Sequence, residues 1–235
     1  MKFSTLPLLL AALFAFCVVL THRARAHQSI TTAEARSVYL LLFAFAAWTV
    51  MSIVLGIKGI HASRSLQDRI PLLWQPNVPV VILVIGLLVS RNLRGGLRGI
   101  ASGTPWHWLV FVQALRIGAL GGIIKGIKGD ITSSFVFWVG IPDFLFGLSA
   151  LIVGFLWQRK AIGNRFLMIW NLVGAAIILL PTFLFMSYWM NEAGFTFIFE
   201  FPMVLAPSIV IPILLFFNLL LAWSTFELTR EGRHG

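Results

Sequence analysis

Between residues 38 and 226, uncharged apolar runs of membrane-spanning length follow one another, separated by short basic loops. A helix of about 20 apolar residues matches the ~30 Å hydrocarbon core of a bilayer. The pattern predicts an all-α, polytopic transmembrane helical bundle. With 11% of its 235 residues charged, the chain falls well below the roughly 25% of an ordinary soluble domain. Its loops are too short to hold a separate soluble core.

The formal charge of +10 would point to nucleic acid in a soluble chain. Here the arginines and lysines sit beside the apolar runs, where lipid headgroups and the positive-inside rule account for them. No nucleic-acid partner is expected. The single cysteine, Cys17, lies within the first run, so neither an intrachain disulfide nor a paired thiol redox site can form.

The first run, residues 5–20, follows Lys2 and ends in Thr21-His22-Arg23-Ala24-Arg25-Ala26-His27. A short apolar core with an Ala-x-Ala end is a signal-peptide feature, with cleavage after Ala26. Arg23 and Arg25 fit a retained first helix better. Residues 1–26 are therefore read as a signal peptide or a first transmembrane helix, and 27–235 as a single transmembrane helical domain. Cleavage would expose His27 as a copper-binding N-terminus, but no second ligand is evident.

Further spans are expected at 38–57, 70–90, 106–124, 135–158, 166–190 and 202–226. Pro71, Pro76 and Pro79 crowd the start of 70–90, so its regular helix is expected from Asn77, with 72–75 at the interface. Arg91, Arg94 and Arg98 follow at spacings of three and four, on one face of an interfacial basic segment weakened by Gly95, Gly96 and Gly99. The 106–124 run contains Gln113 and Arg116 and is the weakest, either crossing or re-entrant. The bundle thus has six or seven spans. Basic loops place the C-terminus in the cytoplasm and the Lys/Arg-free loop 191–200 outside.

Arg116 and Asp143 lie near the middle of adjacent apolar runs. A charge at bilayer centre costs at least ~2.5–3.5 kcal/mol on insertion scales, and such residues face the bundle interior and pair. Opposite signs at similar depth predict mutual pairing, either as a register-fixing salt bridge or as a site for an anion or a proton. Pro142 with Gly140 is expected to kink or break its helix, as are Pro181, Pro207 and Pro212 in theirs, with freed carbonyls available to line a cavity. Gln113, Asn171 and Asn218 are expected to hydrogen-bond across helices, and Gly118, Gly121 and Gly122 to allow close helix approach. Trp74, Trp106, Trp108, Trp157, Trp170 and Trp189 fall near run ends, as an aromatic belt does.

No metal, haem or other cofactor is expected. His22, His27, His61, His107 and His234 lie in loops or at run ends, whereas a b-type haem needs axial histidines inside the bundle. HExxH and Cys/His clusters are absent from the sequence, and no serine has a GxSxG setting.

Gln113-Ala114-Leu115-Arg116, then Gly140-Ile141-Pro142-Asp143-Phe144-Leu145-Phe146-Gly147-Leu148-Ser149-Ala150, then Trp170-Asn171-Leu172-Val173-Gly174 occur in that order. Over residues 113–227 this resembles a bacterial family of small multi-pass membrane proteins with no assigned function. Its members carry Q-x-x-R or F-R, then G/N-x-x-D-x-x-x-G-L-x-A, then W-N-x-x-G. The likeness singles out Arg116, Asp143, Gly147 and Asn171, implies the fold, and brings no activity. The first hundred residues have no counterpart in it.

The functional expectation is a non-enzymatic inner-membrane protein, an accessory or assembly subunit of a larger complex with protein partners in the membrane or a second copy of itself. The alternative is a small transporter or permease built around Arg116 and Asp143.

Overall fold

The structure, a computed structural model, describes residues 4–61, 63, 74–189, 191, 192 and 195–231. All regular structure among them is helical: α1 (Leu6–Ala26), α2 (Thr32–Ile57), α3 (Trp74–Val89), α4 (Arg91–Gly103), α5 (Trp106–Ile127), α6 (Ser133–Gln158), α7 (Asn164–Trp189) and α8 (Ile211–Glu231). Six stretches are long and apolar enough to cross a membrane: α1, α2, α5, α6, residues Asn164–Phe185 of α7, and Ala206–Glu227. The fold is all-α, as the run lengths require.

The chain packs as two compact units, residues 1–104 with 193–212, and residues 105–192 with 213–235. In the first, α1 continues through Arg23 and Arg25 to Ala26, with Thr21 and Ala24 buried. Helix α2 starts six residues earlier than its apolar run. Thr31 and Glu34 form a reciprocal capping box, the Thr31 N–H donating to Glu34 Oε2 at 2.7 Å.

Helix α3 begins at Trp74 rather than Asn77, and Gln75 is buried instead of interfacial. Residues 64–73 and the Trp74 side chain, including Pro71 and one position of the expected aromatic belt, lie outside the described residues. At 16 residues α3 is short, and α4 leaves it at a bend of 107°.

The elbow is made by side chains. Ser90 Oγ accepts the Leu93 N–H and caps α4, while Arg94 donates to the terminal carbonyls of Leu87 and Leu88. The glycines expected to weaken α4 serve packing instead: a Cβ at Gly96 would lie 2.9 Å from Val38, and one at Gly99 2.5 Å from the Ser29 carbonyl oxygen; Gly103 likewise meets Ser29.

In the second unit α5, α6 and α7 are consecutive neighbours. Helix α5 is one continuous 22-residue helix, long and apolar enough to cross a membrane. Its middle, Val112–Ala119, tightens into a 3₁₀ turn, long for that geometry. Gly121 and Gly122 face open space, contrary to the expected close approach; Gly147, Gly154 and Gly174 provide it instead.

The prolines widen helices rather than break them. In both Ile141-Pro142 and Ile211-Pro212, the isoleucine N–H bonds five residues back, to Val136 and Ala206, in a π turn. A proline ring clashes with the carbonyl four residues earlier and offers it no N–H, and the wider turn relieves the clash. In the first unit, the Ser208 carbonyl that Pro212 cannot serve accepts the Trp48 indole N–H at 2.9 Å. Helix α7 passes through Pro181 without interruption.

Candidate functional site

The 3₁₀ turn of α5 carries Gln113 and Arg116, three residues apart and hence on one edge of the helix. It packs where α6 has no side chain. A Cβ on Gly147 would stand 2.6 Å from the Ile117 nitrogen and 2.9 Å from the Arg116 carbonyl carbon. This contact brings Arg116 against the part of α6 just past its π turn, where Asp143 follows Pro142.

Arg116 Nε donates to Asp143 Oδ1 at 2.6 Å, so the pair expected from charge depth is formed. The Arg116 side chain is fully buried, and that of Asp143 is 16% exposed. Arg116 Nη2 donates to the Gly174 carbonyl of α7 at 3.1 Å. The guanidinium carbon lies 4.5 Å from the centroid of the Phe146 ring, a cation–π arrangement that gains strength when desolvated. Phe146 stacks on Trp170 at 4.3 Å, in the space left by the absent side chain of Gly174. The Trp170 indole donates to Ser149 Oγ at 3.0 Å, and Ser149 Oγ donates to the Phe146 carbonyl at 2.7 Å. One charged group is thus enclosed by carboxylate, carbonyl and aromatic face.

Phe146 and Ser149 were not singled out from the sequence, and Gly174 entered only as the closing glycine of W-N-x-x-G. Their signal was helical spacing: Phe146 and Gly174 each lie three residues beyond a polar position already marked, Asp143 and Asn171.

The amides behave differently from one another. Gln113 bonds across helices, Nε2 donating to the Leu214 carbonyl at 3.1 Å. Asn171 does not; its Nδ2 donates at 2.8 Å to Leu167 of its own helix, one turn back. Asn218 is fully buried, and neither of its amide atoms has a hydrogen-bond partner among the described residues. Gln113 Oε1, Asn171 Oδ1 and Arg116 Nη1 are likewise buried without partners. Bonding to a carbonyl fixes each of Gln113 and Asn171 with its nitrogen toward that carbonyl, so the oxygens are the atoms left over.

The aromatic belt is partly an interior. Trp106 stacks on Trp157 at 5.4 Å. Trp189 is 1% exposed, and its indole donates to Ser134 Oγ at 2.9 Å. Ser134 in turn donates to Glu192 at 2.9 Å, as Thr132 also does. Glu192 raises the Tyr188 hydroxyl above its usual range by hydrogen bonding and charge. These contacts join the start of α6 to the end of α7. Among the described residues no three His, Cys, Asp or Glu side chains gather in a metal-binding group.

Nothing among curated proteins or solved structures matches the chain. A family match covers residues 73–224, and so takes in the Arg116 centre. It also reaches back across α3 and α4, into residues for which the sequence resemblance found no counterpart. The family is described as a domain of unknown function, DUF8737, and the chain belongs to it.

Proposed function

We propose that this chain is a multi-pass protein of the bacterial inner membrane that performs no chemistry of its own and serves as an accessory or assembly subunit of a larger membrane complex. The observation that carries this reading is the closure of the Arg116 centre. Asp143 and the Gly174 carbonyl occupy two of its three nitrogens, and the Phe146 ring covers its face. A guanidinium so enclosed sets the register of α5, α6 and α7 rather than awaiting a substrate anion. The partners it presents itself to are other membrane helices or a second copy.

A permease is the second reading, supported by a specific observation. Arg116 Nη1, Gln113 Oε1, Asn171 Oδ1 and both amide atoms of Asn218 are buried polar atoms without partners. Such atoms cost about 1–3 kcal/mol each unless water or a ligand meets them.

Asp143→Asn separates the two, because the amide keeps shape and hydrogen bonding but can neither neutralise Arg116 nor exchange a proton. For a subunit, the variant melts lower in detergent and recovers less of a stoichiometric partner by native mass spectrometry. Unchanged melting with loss of proton-coupled dye response in proteoliposomes would establish the permease and overturn the subunit.

A further inference from the structure

The first unit gathers arginines from three distant stretches of sequence at one end. Helix α1 finishes and α2 begins there, joined by residues 27–31, and α4 lies across that junction, Gly96 against Val38 and Gly103 against Ser29. Because α4 turns its glycines and Leu93, Leu97 and Ile100 inward, Arg91 and Arg98 are left exposed on its outer side. Arg36, in the first turns of α2, is exposed at the same end, as is Arg25 at the end of α1. None of these four makes an ion pair with a carboxylate among the described residues. Glu34, in the first turn of α2, is held by Thr31 in the capping box.

An apolar wall adjoins this rim. Leu88 and Val89, just before the elbow, are 74% and 80% exposed, and Leu40 and Phe43 are exposed on α2 one to two turns past Arg36. A free phosphate would use only the arginines. A phospholipid uses both, its phosphate at the guanidinium groups and its acyl chains along the wall. Juxtamembrane arginines attract anionic lipid by about 1 kcal/mol each, and guanidinium matches phosphate oxygens in bidentate geometry.

We propose that the end of the first unit bearing Arg36, Arg91 and Arg98 seats anionic phospholipid headgroups. Arg94 is excluded from this role because it holds the elbow.

The test uses the full chain in neutral detergent, offered equal amounts of phosphatidylglycerol and phosphatidylcholine and read by native mass spectrometry. The wild type retains phosphatidylglycerol in preference. The triple variant Arg36→Gln, Arg91→Gln, Arg98→Gln loses that preference, with roughly a fivefold drop for each arginine removed. A control with the same charge removed from the second unit, Arg159→Gln, Lys160→Gln, Arg165→Gln, keeps it. Circular dichroism and melting of both variants verify that they are folded. An unchanged preference in the first variant, or an equal loss in the control, overturns the proposal. So does inorganic phosphate that abolishes the preference at millimolar concentration, since the site would then be one for a free anion.

Discussion

Arg116 ties its own helix to α6 and α7, and each contact has a separable consequence. Arg116→Leu leaves Asp143 without its counter-charge, and Asp143→Leu strands Arg116; each is expected to destabilise by roughly 3–5 kcal/mol. The double variant is expected to lose less than the sum, which a double-mutant cycle from denaturation in detergent measures directly. Additive losses would show that the two groups do not interact. Gly147→Ala tests the packing on which the pair depends. The nearest atom to the added methyl is backbone nitrogen of Ile117, which cannot rotate away, so a loss of roughly 1–3 kcal/mol is expected in the same measurement. The pair was legible in the sequence because two opposite charges in apolar runs have few other solutions. Phe146 was not, because an aromatic residue in a membrane helix carries no mark of whether it meets lipid or a cation.

At the scale of elements, the prolines and the elbow show how backbone groups are satisfied away from water. If the Trp48 indole replaces the donor missing at Pro212, Trp48→Phe is expected to destabilise by roughly 1–3 kcal/mol. In a Pro212→Ala background, where a backbone N–H returns, the same change is expected to be milder in thermal melts. An identical loss in both backgrounds would separate Trp48 from the proline. His61, past the end of α2, carries a pH dependence. His61 is buried, and its Nδ1 accepts the Gln75 amide N–H at 3.2 Å, which requires that nitrogen to be unprotonated. Burial holds the ring below its ordinary value of 6.5, so the folded state favours neutral His61. Its contribution is complete above pH 6.5 and is lost as pH falls through the depressed folded value. Melting temperature is expected to fall below that pH in the wild type and to fall less in His61→Gln. The sequence located each proline but not its effect, because a widened turn and a broken helix begin from the same residue.

At the scale of the whole molecule, α2 joins the arginine-bearing end of the first unit to one where Lys58 caps it. Arg36 lies near the start of α2. Near its other end Gly56 meets the backbone on either side of Glu200, at 3.4 Å from the Phe201 nitrogen and 3.5 Å from the Phe199 oxygen for an added Cβ. The 20 residue steps from Arg36 to Gly56 span about 30 Å of helix, close to the hydrocarbon thickness. The distribution of basic residues along the sequence is the ground for expecting a cytoplasmic C-terminus and an outward 191–200 loop. A reporter fused after Gly235 is expected to show cytoplasmic activity, and a cysteine placed in the loop is expected to react with an impermeant reagent from outside. Periplasmic activity of the fusion would reverse the topology.

Apolar run length alone determined that this chain is helical and long enough to cross a bilayer many times, because lipid leaves the backbone little other choice. Charge depth alone picked out Arg116 and Asp143. Which glycines are contacts, which amides reach another helix and which arginines share one end were decided only by tertiary packing. Gly121 and Gly147 look alike in sequence, yet one faces open space and the other a backbone nitrogen. Asn171 and Gln113 carry the same amide, yet Gln113 donates to a neighbouring helix's carbonyl and Asn171 to its own helix. The difference lies in which face of each helix meets a neighbour, a property of pairs of helices that no single run of residues contains.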